Sequence, residues 1–295
     1  MAVNRTGYLT DEQVGLYRRD GYVAVPGVIP EDKVDELRSA TQDFTERSRD
    51  VTRSDRLFDL DPRHTAARPV LRRIKNPADN HPVYRWVAFE SAIPDIVTEL
   101  IGPDIVFHHS KLNLKGERLG APVEWHQDAA FYPHTNDDVL AVGLLLDDAT
   151  LENGCLMVLP GSHLGPVYDH FAGDQFTGAI NREDLARLDL TRAVPLPLPA
   201  GSIHIHHYRA VHGSAENRTD APRRLLITSY RAADAIPLTL DSTGSRFYGG
   251  MVRGEPARTF RRPGGGWRMP PVWDGSYKSI YEVQSQLSGS SATGM

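Results

Sequence analysis

The chain has 295 residues, and its 40% of hydrophobic residues is enough to fill a core. Lysine and arginine number 33 against 38 aspartates and glutamates, a formal net charge of −5. No basic excess is therefore available to bind a phosphate backbone. We expect a small-molecule substrate and no nucleic-acid partner. Whether the protein forms a homodimer is left open by the sequence.

Membrane insertion and a thiolate metal cluster are both disfavoured. The longest apolar run, residues 139–146, is far shorter than the roughly 18 residues typical of a spanning helix. The N-terminal segment MAVNRTGYLTDEQ contains no apolar signal region. We therefore expect a cytoplasmic protein with no membrane partner. Because Cys155 is the single cysteine, any metal must be held by histidine and carboxylate.

Helical signals dominate the first hundred residues. Thr10 and Gln13 fit a capping box before a short charged helix that Gly21 ends. A second helix is predicted to open at Pro30. A third helix is predicted from a run of apolar residues at helical spacing, and it should end at Gly102 and Pro103. The members of that run are Ile93, Ile96, Val97, Leu100 and Ile101.

From residue 104 to 232 the apolar runs become short, β-branched and bounded by turn residues. They are DIVFHHSKLNLK, VLAVGLLL, CLMVLP, AVPLPLP, SIHIHHY and RLLITSYR. This density predicts an α+β fold: a double-stranded β-helix, or jelly-roll barrel, with the N-terminal helices packed on one sheet. We expect one domain over residues 1–287 with its jelly-roll core at about 104–232. Residues 236–273 are predicted to be loops that wrap the barrel, and residues 288–295 to be a disordered tail.

His126 and Asp128 are separated by one residue, which on an extended chain places both side chains on one face. His-x-Asp also occurs by chance in a chain with 12 histidines, so spacing alone proves little. Two histidines and one carboxylate on one face of an octahedron leave three positions open for a chelating cosubstrate and dioxygen. His212 would complete that set. Arg223, eleven residues further on, could pair with a distal carboxylate through its planar fork.

Three segments resemble the phytanoyl-CoA dioxygenase family of Fe(II)- and 2-oxoglutarate-dependent oxygenases. They are EWHQDAAFYP, ENGCLMVLPGSHLG and HHYRAVHGSAENRTDAPRR, and the resemblance covers roughly residues 20–232 in the family's order. It implies His126, Asp128 and His212 as iron ligands. It also implies Arg223 as the partner of the 2-oxoglutarate C5 carboxylate, with Ser214 and Asn113 nearby.

The resemblance further implies the reaction. With Fe(II), 2-oxoglutarate and O2, such an enzyme oxidises an unactivated C–H bond of a small metabolite, usually to an alcohol, and releases succinate and CO2. We expect the residues that border the ligands on the open side to bind the substrate. These are Lys111, Phe131, Tyr132 and His134.

Two other classes stay open at this point. A cupin-type oxidase or isomerase without 2-oxoglutarate would use His204 and His206, which share one face of the strand SIHIHHY. The cupin pattern also needs a glutamate a few residues later, and positions 209 and 210 are Arg and Ala. A catalytically inactive binding protein on the same barrel would not need Arg223.

Overall fold

The structure is a computed structural model that describes residues 7–118, 120–241, 243–263 and 267–268. Six α-helices lie in this part of the chain: α1 (Asp11–Asp20), α2 (Glu31–Arg47), α3 (Pro77–Asn80), α4 (Pro82–Phe89), α5 (Ile93–Ile101) and α6 (Arg182–Leu185). The first eight strands are β1 (Tyr22–Val25), β2 (Phe58–Leu60), β3 (Leu71–Lys75), β4 (Ile105–Lys115), β5 (Val123–His126), β6 (Val139–Leu145), β7 (Leu156–Val158) and β8 (Phe171–Ala172). The other strands are β9 (Gln175–Phe176), β10 (Val194–Leu196), β11 (Ile203–His207), β12 (His212–Ser214), β13 (Arg223–Ala232), β14 (Met251–Arg253), β15 (Thr259–Phe260) and β16 (Trp267–Arg268).

The three predicted N-terminal helices are α1, α2 and α5. At the start of α1, the Thr10 side chain accepts from the Gln13 backbone N–H and the Gln13 side chain accepts from the Thr10 N–H, so the capping box is complete. Gly21 ends the helix with φ of 81°, a left-handed conformation that favours glycine. Helices α3 and α4 were not predicted, because their prolines, Pro77 and Pro82, divide the segment into pieces too short for a periodic signal.

Two antiparallel sheets form the barrel. The larger has eight strands in the order β1-β11-β6-β13-β4-β3-β2, with β14 also paired to β4. The smaller has four strands in the order β10-β7-β12-β5. Two antiparallel sheets with helices packed on one of them confirm the predicted fold class.

The helices cover one face of the larger sheet. Phe44 of α2 and Tyr84 of α4 are buried in one continuous apolar cluster with Phe107 of β4 and Leu144 of β6. Every residue of β6, the central strand, is buried. The opposite face of this sheet is therefore turned toward the smaller sheet, and the space between the two sheets contains the candidate site.

The region after residue 236 is not made of loops alone. Met251–Arg253 forms β14, which pairs with the first residues of β4 and extends the sheet there. The prediction missed this strand because a three-residue segment carries no period-two signal until a free sheet edge is available to it. Residues 269–273 and the predicted tail, 288–295, lie outside the described residues. None of the described helices has the length and apolarity needed to cross a membrane.

Candidate active site

Pairing of β5 with β12 creates the centre of the site. In this pair His126 lies directly opposite His212, and their ring centroids are 4.1 Å apart. Asp128 begins a short 3-10 turn immediately after β5. One potential ligand atom from each of His126, Asp128 and His212 lies within 4.8 Å of the other two. The three side chains singled out from the sequence are therefore close enough to share one ion.

Backbone contacts fix which ring nitrogen each histidine offers. His126 Nδ1 is 2.8 Å from the Glu124 carbonyl, and His212 Nδ1 is 2.9 Å from the Ala210 carbonyl. A carbonyl can only accept, so each Nδ1 carries the proton. Nε2 of both rings is thereby left as the lone-pair donor, which is how metal-binding histidines are oriented in proteins.

Local electrostatics keep the ligand groups in the protonation states that a metal needs. Burial lowers the pKa of His126, and burial followed by the neighbouring His126 and His206 rings lowers that of His212. Burial alone would raise the pKa of Asp128, but His206, Lys111 and His212 together hold it well below its ordinary value. Two neutral imidazoles and one carboxylate are the form that binds a divalent cation.

His206 and His204 lie beside this group on β11. His206 Nε2 is 3.5 Å from Asp128 Oδ2, so it can orient the carboxylate. His204 stacks on His206 and fits only because residue 143 is glycine: a Cβ there would lie 2.2 Å from the His204 ring. In the described part of the chain, the one group of three or more potential metal ligands does not include His204.

A cavity of about 710 Å³ opens from the three ligands between the two sheets. Its wall includes most of the residues predicted for cosubstrate and substrate, namely Lys111, Asn113, Phe131, Tyr132, Ser214 and Arg223. His134 is not on this wall. Its Nδ1 donates to the Tyr132 carbonyl at 2.7 Å, and its ring packs 5.5 Å from that of His108, behind the cavity surface. The role of His134 in substrate binding therefore stays a prediction, with its ring beside His108 of the cavity wall.

Arg223 and Arg224 point to opposite faces of β13, as strand alternation predicts. Arg223 is 3% exposed and lines the cavity, where its guanidinium donates to the Gly154 carbonyl at 3.1 Å. Arg224 lies outside and makes two hydrogen bonds to Asp147, of 2.8 and 2.6 Å. Burial lowers the pKa of Arg223 to about 10, so the guanidinium remains charged at neutral pH.

Unsatisfied polar atoms indicate where a bound molecule fits. Among the described residues, buried nitrogens without a hydrogen-bond partner include Nε of Arg223, Nδ1 of His206 and both ring nitrogens of His204. All three side chains line the same cavity between the ligand group and Arg223. Leaving such groups unpaired is costly, so the space suits a polar molecule, and an acceptor oxygen such as that of a carboxylate can pair with the Arg223 Nε–H.

A model of the phytanoyl-CoA dioxygenase family matches residues 17–225. The chain belongs to this family. It is 35% identical to a probable alpha-ketoglutarate-dependent hypophosphite dioxygenase of Stutzerimonas stutzeri, over 77% of this chain and 80% of the relative. It is 28% identical to a methylphosphonate hydroxylase of Gimesia maris, over 76% of this chain and 81% of the relative.

The fold is also that of solved family members. The iron-bound structure of EctD from S. alaskensis superposes with a TM-score of 0.70 at 22% identity, covering 87% of this chain and 90% of that one. Together with the grouped ligands, these findings confirm the prediction of a phytanoyl-CoA dioxygenase family enzyme, a dioxygenase that depends on iron and 2-oxoglutarate.

One cavity residue of this family member was missed by the sequence reasoning. Lys115, the last residue of β4, is buried, lines the cavity and donates to Ser214 Oγ at 2.9 Å. Strand alternation along KLNLK puts Lys111, Asn113 and Lys115 on one face. The signal was therefore available in the sequence.

Proposed function

We propose that His126, Asp128 and His212 hold Fe(II) and that Arg223 holds the distal carboxylate of 2-oxoglutarate. The observation that carries this proposal is the convergence of the three ligand side chains on a cavity that is also lined by the buried Arg223 guanidinium, which has a free Nε and no ion pair among the described residues. Two histidines and one carboxylate leave three positions of an octahedral ion open. Arg223 matches a carboxylate in two parallel hydrogen bonds.

When bound, Fe(II) with 2-oxoglutarate and O2 supplies a four-electron oxidation: one oxygen atom enters an X–H bond of the substrate and the other enters succinate, with release of CO2. The protein's residues prepare the reactants for it. Arg223 and Ser214 orient the cosubstrate, and Asn113 supplies a further amide on the same wall. His206 orients Asp128 from behind.

The substrate we propose is a compact anion. Lys111 lies on the cavity wall next to the ligand group and takes part in none of the ion pairs between described residues. Burial lowers the pKa of Lys111, and the opposing charge of Asp128 is one that a bound Fe(II) would neutralise. A second anion is then needed to pair with the ammonium, and a substrate oxyanion beside the iron would do so. Tyr132 and Phe131 line the same cavity and add a hydroxyl and an aromatic ring to its wall.

The cavity rim argues for a small substrate. Arg72 and Arg73 carry the positive charge that a large phosphorylated thioester would need, but Asp61 and Asp59 pair with them at 3.4 and 3.2 Å. The rim arginines are therefore partly paired, although Asp61 also binds Arg63 at 2.7 Å, whereas Lys111 inside the cavity belongs to no ion pair between described residues. The relatives named for hypophosphite and methylphosphonate support the same class. We infer a small phosphonate- or phosphinate-like oxyanion, hydroxylated at a C–H or P–H bond.

The first test is an anaerobic titration of Fe(II)-loaded protein with 2-oxoglutarate, which should produce the visible absorption band of the chelate. Succinate release in air is then measured with hypophosphite, methylphosphonate and the neutral dimethyl ester of methylphosphonate, and products are identified by ³¹P NMR. We expect stimulation by an anion and none by the ester. Absence of the band would refute the iron and cosubstrate assignment, and stimulation by the ester alone would refute the anion.

A matched pair of lysines tests the substrate residue. Lys75 lies opposite Lys111 in the β3–β4 register, but its Nζ donates to the Asp55 carbonyl at 2.8 Å. We expect Lys111→Met to raise the substrate KM and Lys75→Met to leave it within about twofold. Equal effects of the two substitutions would mean that general positive potential, and not a specific contact, attracts the substrate.

A further inference from the structure

Two adjacent histidines of β4, His108 and His109, border the cavity on the substrate side of Lys111. In the β4–β13 register His108 has no partner, because its neighbours on either side pair with consecutive residues of β13. This extra residue is a β-bulge, a device that re-aims side chains beside functional sites. Regular alternation would turn one of the two side chains away, but both line the cavity. The bulge therefore adds a second imidazole to this wall.

The two rings are hydrogen-bonded to each other, since His108 Nδ1 and His109 Nδ1 are 2.7 Å apart. Burial lowers the pKa of His108 to about 3, and burial followed by the Lys111 ammonium lowers the pKa of His109 well below its ordinary value. Both imidazoles are therefore neutral at pH 7. One Nδ1 then donates and the other accepts, so the two rings are opposite tautomers. As a result, one Nε2 has a proton and the other has a lone pair.

His108 is held in place by aromatic rings. Its ring centroid is 4.6 Å from that of Tyr132 and 5.2 Å from that of Tyr248, and the residue is 3% exposed. The His134 ring packs against it as well, at 5.5 Å. Tyr248 lies beyond residues 17–225, the part of the chain that the family model matches. Packing therefore fixes His108, and the bond between the two rings then fixes its partner imidazole.

His109 has a hydrogen-bonding atom left for a ligand. Its Nδ1 is bonded to His108, and none of the hydrogen bonds between described residues engages its Nε2. His109 and Lys111 are two residues apart on one face of β4, which is about 7 Å along the strand. Both side chains line the cavity. A small molecule whose oxyanion pairs with Lys111 can therefore reach the imidazole with a second polar group.

We propose that His109, positioned by His108, binds a hydroxyl group of the substrate next to the oxyanion that pairs with Lys111; this rests on the proposed function. A hydroxyl both donates and accepts, so it matches His109 in either tautomer, whereas a carboxylate only accepts and an ammonium only donates. The Lys111 charge also repels a substrate ammonium. The substrate class is thereby narrowed to a small phosphonate- or phosphinate-like oxyanion with a hydroxyl on its first or second carbon.

The test uses oxyanions that differ in one group. Hydroxymethylphosphonate and 2-hydroxyethylphosphonate are compared with ethylphosphonate and propylphosphonate, which have a methyl group in place of the hydroxyl. Calorimetry without oxygen measures the Kd of each for protein loaded with Fe(II) and 2-oxoglutarate. We expect a hydroxylated compound to bind about 5- to 100-fold more tightly than its methyl counterpart, as for a buried hydrogen bond. If neither does, the proposal is overturned. If none of the four binds, the proposed substrate class is overturned instead.

Two substitutions of His109 separate a substrate contact from a packing role. His109→Leu removes both ring nitrogens and should abolish the preference for the hydroxylated compound, with the Kd of its methyl counterpart changed by less than about threefold. His109→Gln retains an amide near the Nε2 position and should recover part of the preference. Equal losses for both compounds in His109→Leu would overturn the proposal. The control is His81→Asn, which removes a histidine outside the cavity wall and keeps a capping side chain for α4.

His108→Phe tests the positioning step. Phenylalanine keeps a ring between Tyr132 and Tyr248 but has no nitrogen for the bond to His109. We expect the preference for the hydroxylated compound to fall in the same calorimetric assay, while the affinities for Fe(II) and 2-oxoglutarate match those of the wild type. A preference that is unchanged in His108→Phe would mean that His108 only fills space, and the positioning role would be refuted.

Discussion

Arg223 and Arg224 offer a matched test of the cosubstrate site, because they are adjacent arginines on opposite faces of β13. Arg223→Ala removes a guanidinium that is 3% exposed and has a free Nε. Loss of a charged, bidentate contact in such a setting costs about 2–5 kcal/mol, which corresponds to a roughly 30- to several-thousand-fold weaker binding of 2-oxoglutarate. Arg223→Lys keeps the charge but lacks the planar guanidinium. Its affinity for 2-oxoglutarate should therefore lie between that of the wild type and that of Arg223→Ala.

Arg224→Ala removes instead the pair with Asp147 on the outer face. This pair is half-buried, so its loss should reduce stability modestly and leave cosubstrate affinity within about twofold of the wild type. The measurement is the apparent 2-oxoglutarate affinity of both alanine variants at saturating Fe(II), without oxygen. If Arg224→Ala were the weaker binder, the assignment of the carboxylate partner would move to Arg224 and the reasoning from strand alternation would fail.

Three further outcomes are expected. Asp128→Ala removes one of three ligands and should lower Fe(II) affinity by at least about 100-fold, measured by competition with a chelator, while the circular-dichroism spectrum is unchanged; retained turnover would place the metal elsewhere. Lys111→Met should raise the substrate KM by about 10- to 100-fold with 2-oxoglutarate affinity unaltered, and a fall in kcat alone would contradict a binding role. Phe44→Ala, in the cluster between α2 and the larger sheet, should lower the free energy of unfolding by about 3–5 kcal/mol in urea titrations. A loss below about 1 kcal/mol would mean that neighbouring side chains fill the space left by the phenyl ring.

Local signals in the sequence were sufficient for several elements. The capping box at Thr10 and the glycine at 21 set the limits of α1, because both act through hydrogen bonds and backbone angles within a few residues. Alternation along β13 separated Arg223 from Arg224 for an equally local reason, the two-residue period of a strand. The same two-residue period along KLNLK puts Lys115 on the face of Lys111 and Asn113, so its place on the cavity wall is also a local signal.

Other features were decided only by contacts between distant segments. Met251–Arg253 becomes a strand because β4 offers it a free edge, and the His134 ring packs against that of His108 in β4. Arg72 and Arg73 are adjacent in the sequence, yet their partners Asp61 and Asp59 lie more than ten residues away and reach them only because β2 pairs with β3. The type of each candidate ligand is readable from the chain, but the direct pairing of His126 with His212 and the meeting of Lys115 with Arg223 depend on strand register. Register is set by the packing of both sheets as a whole, which no local pattern contains.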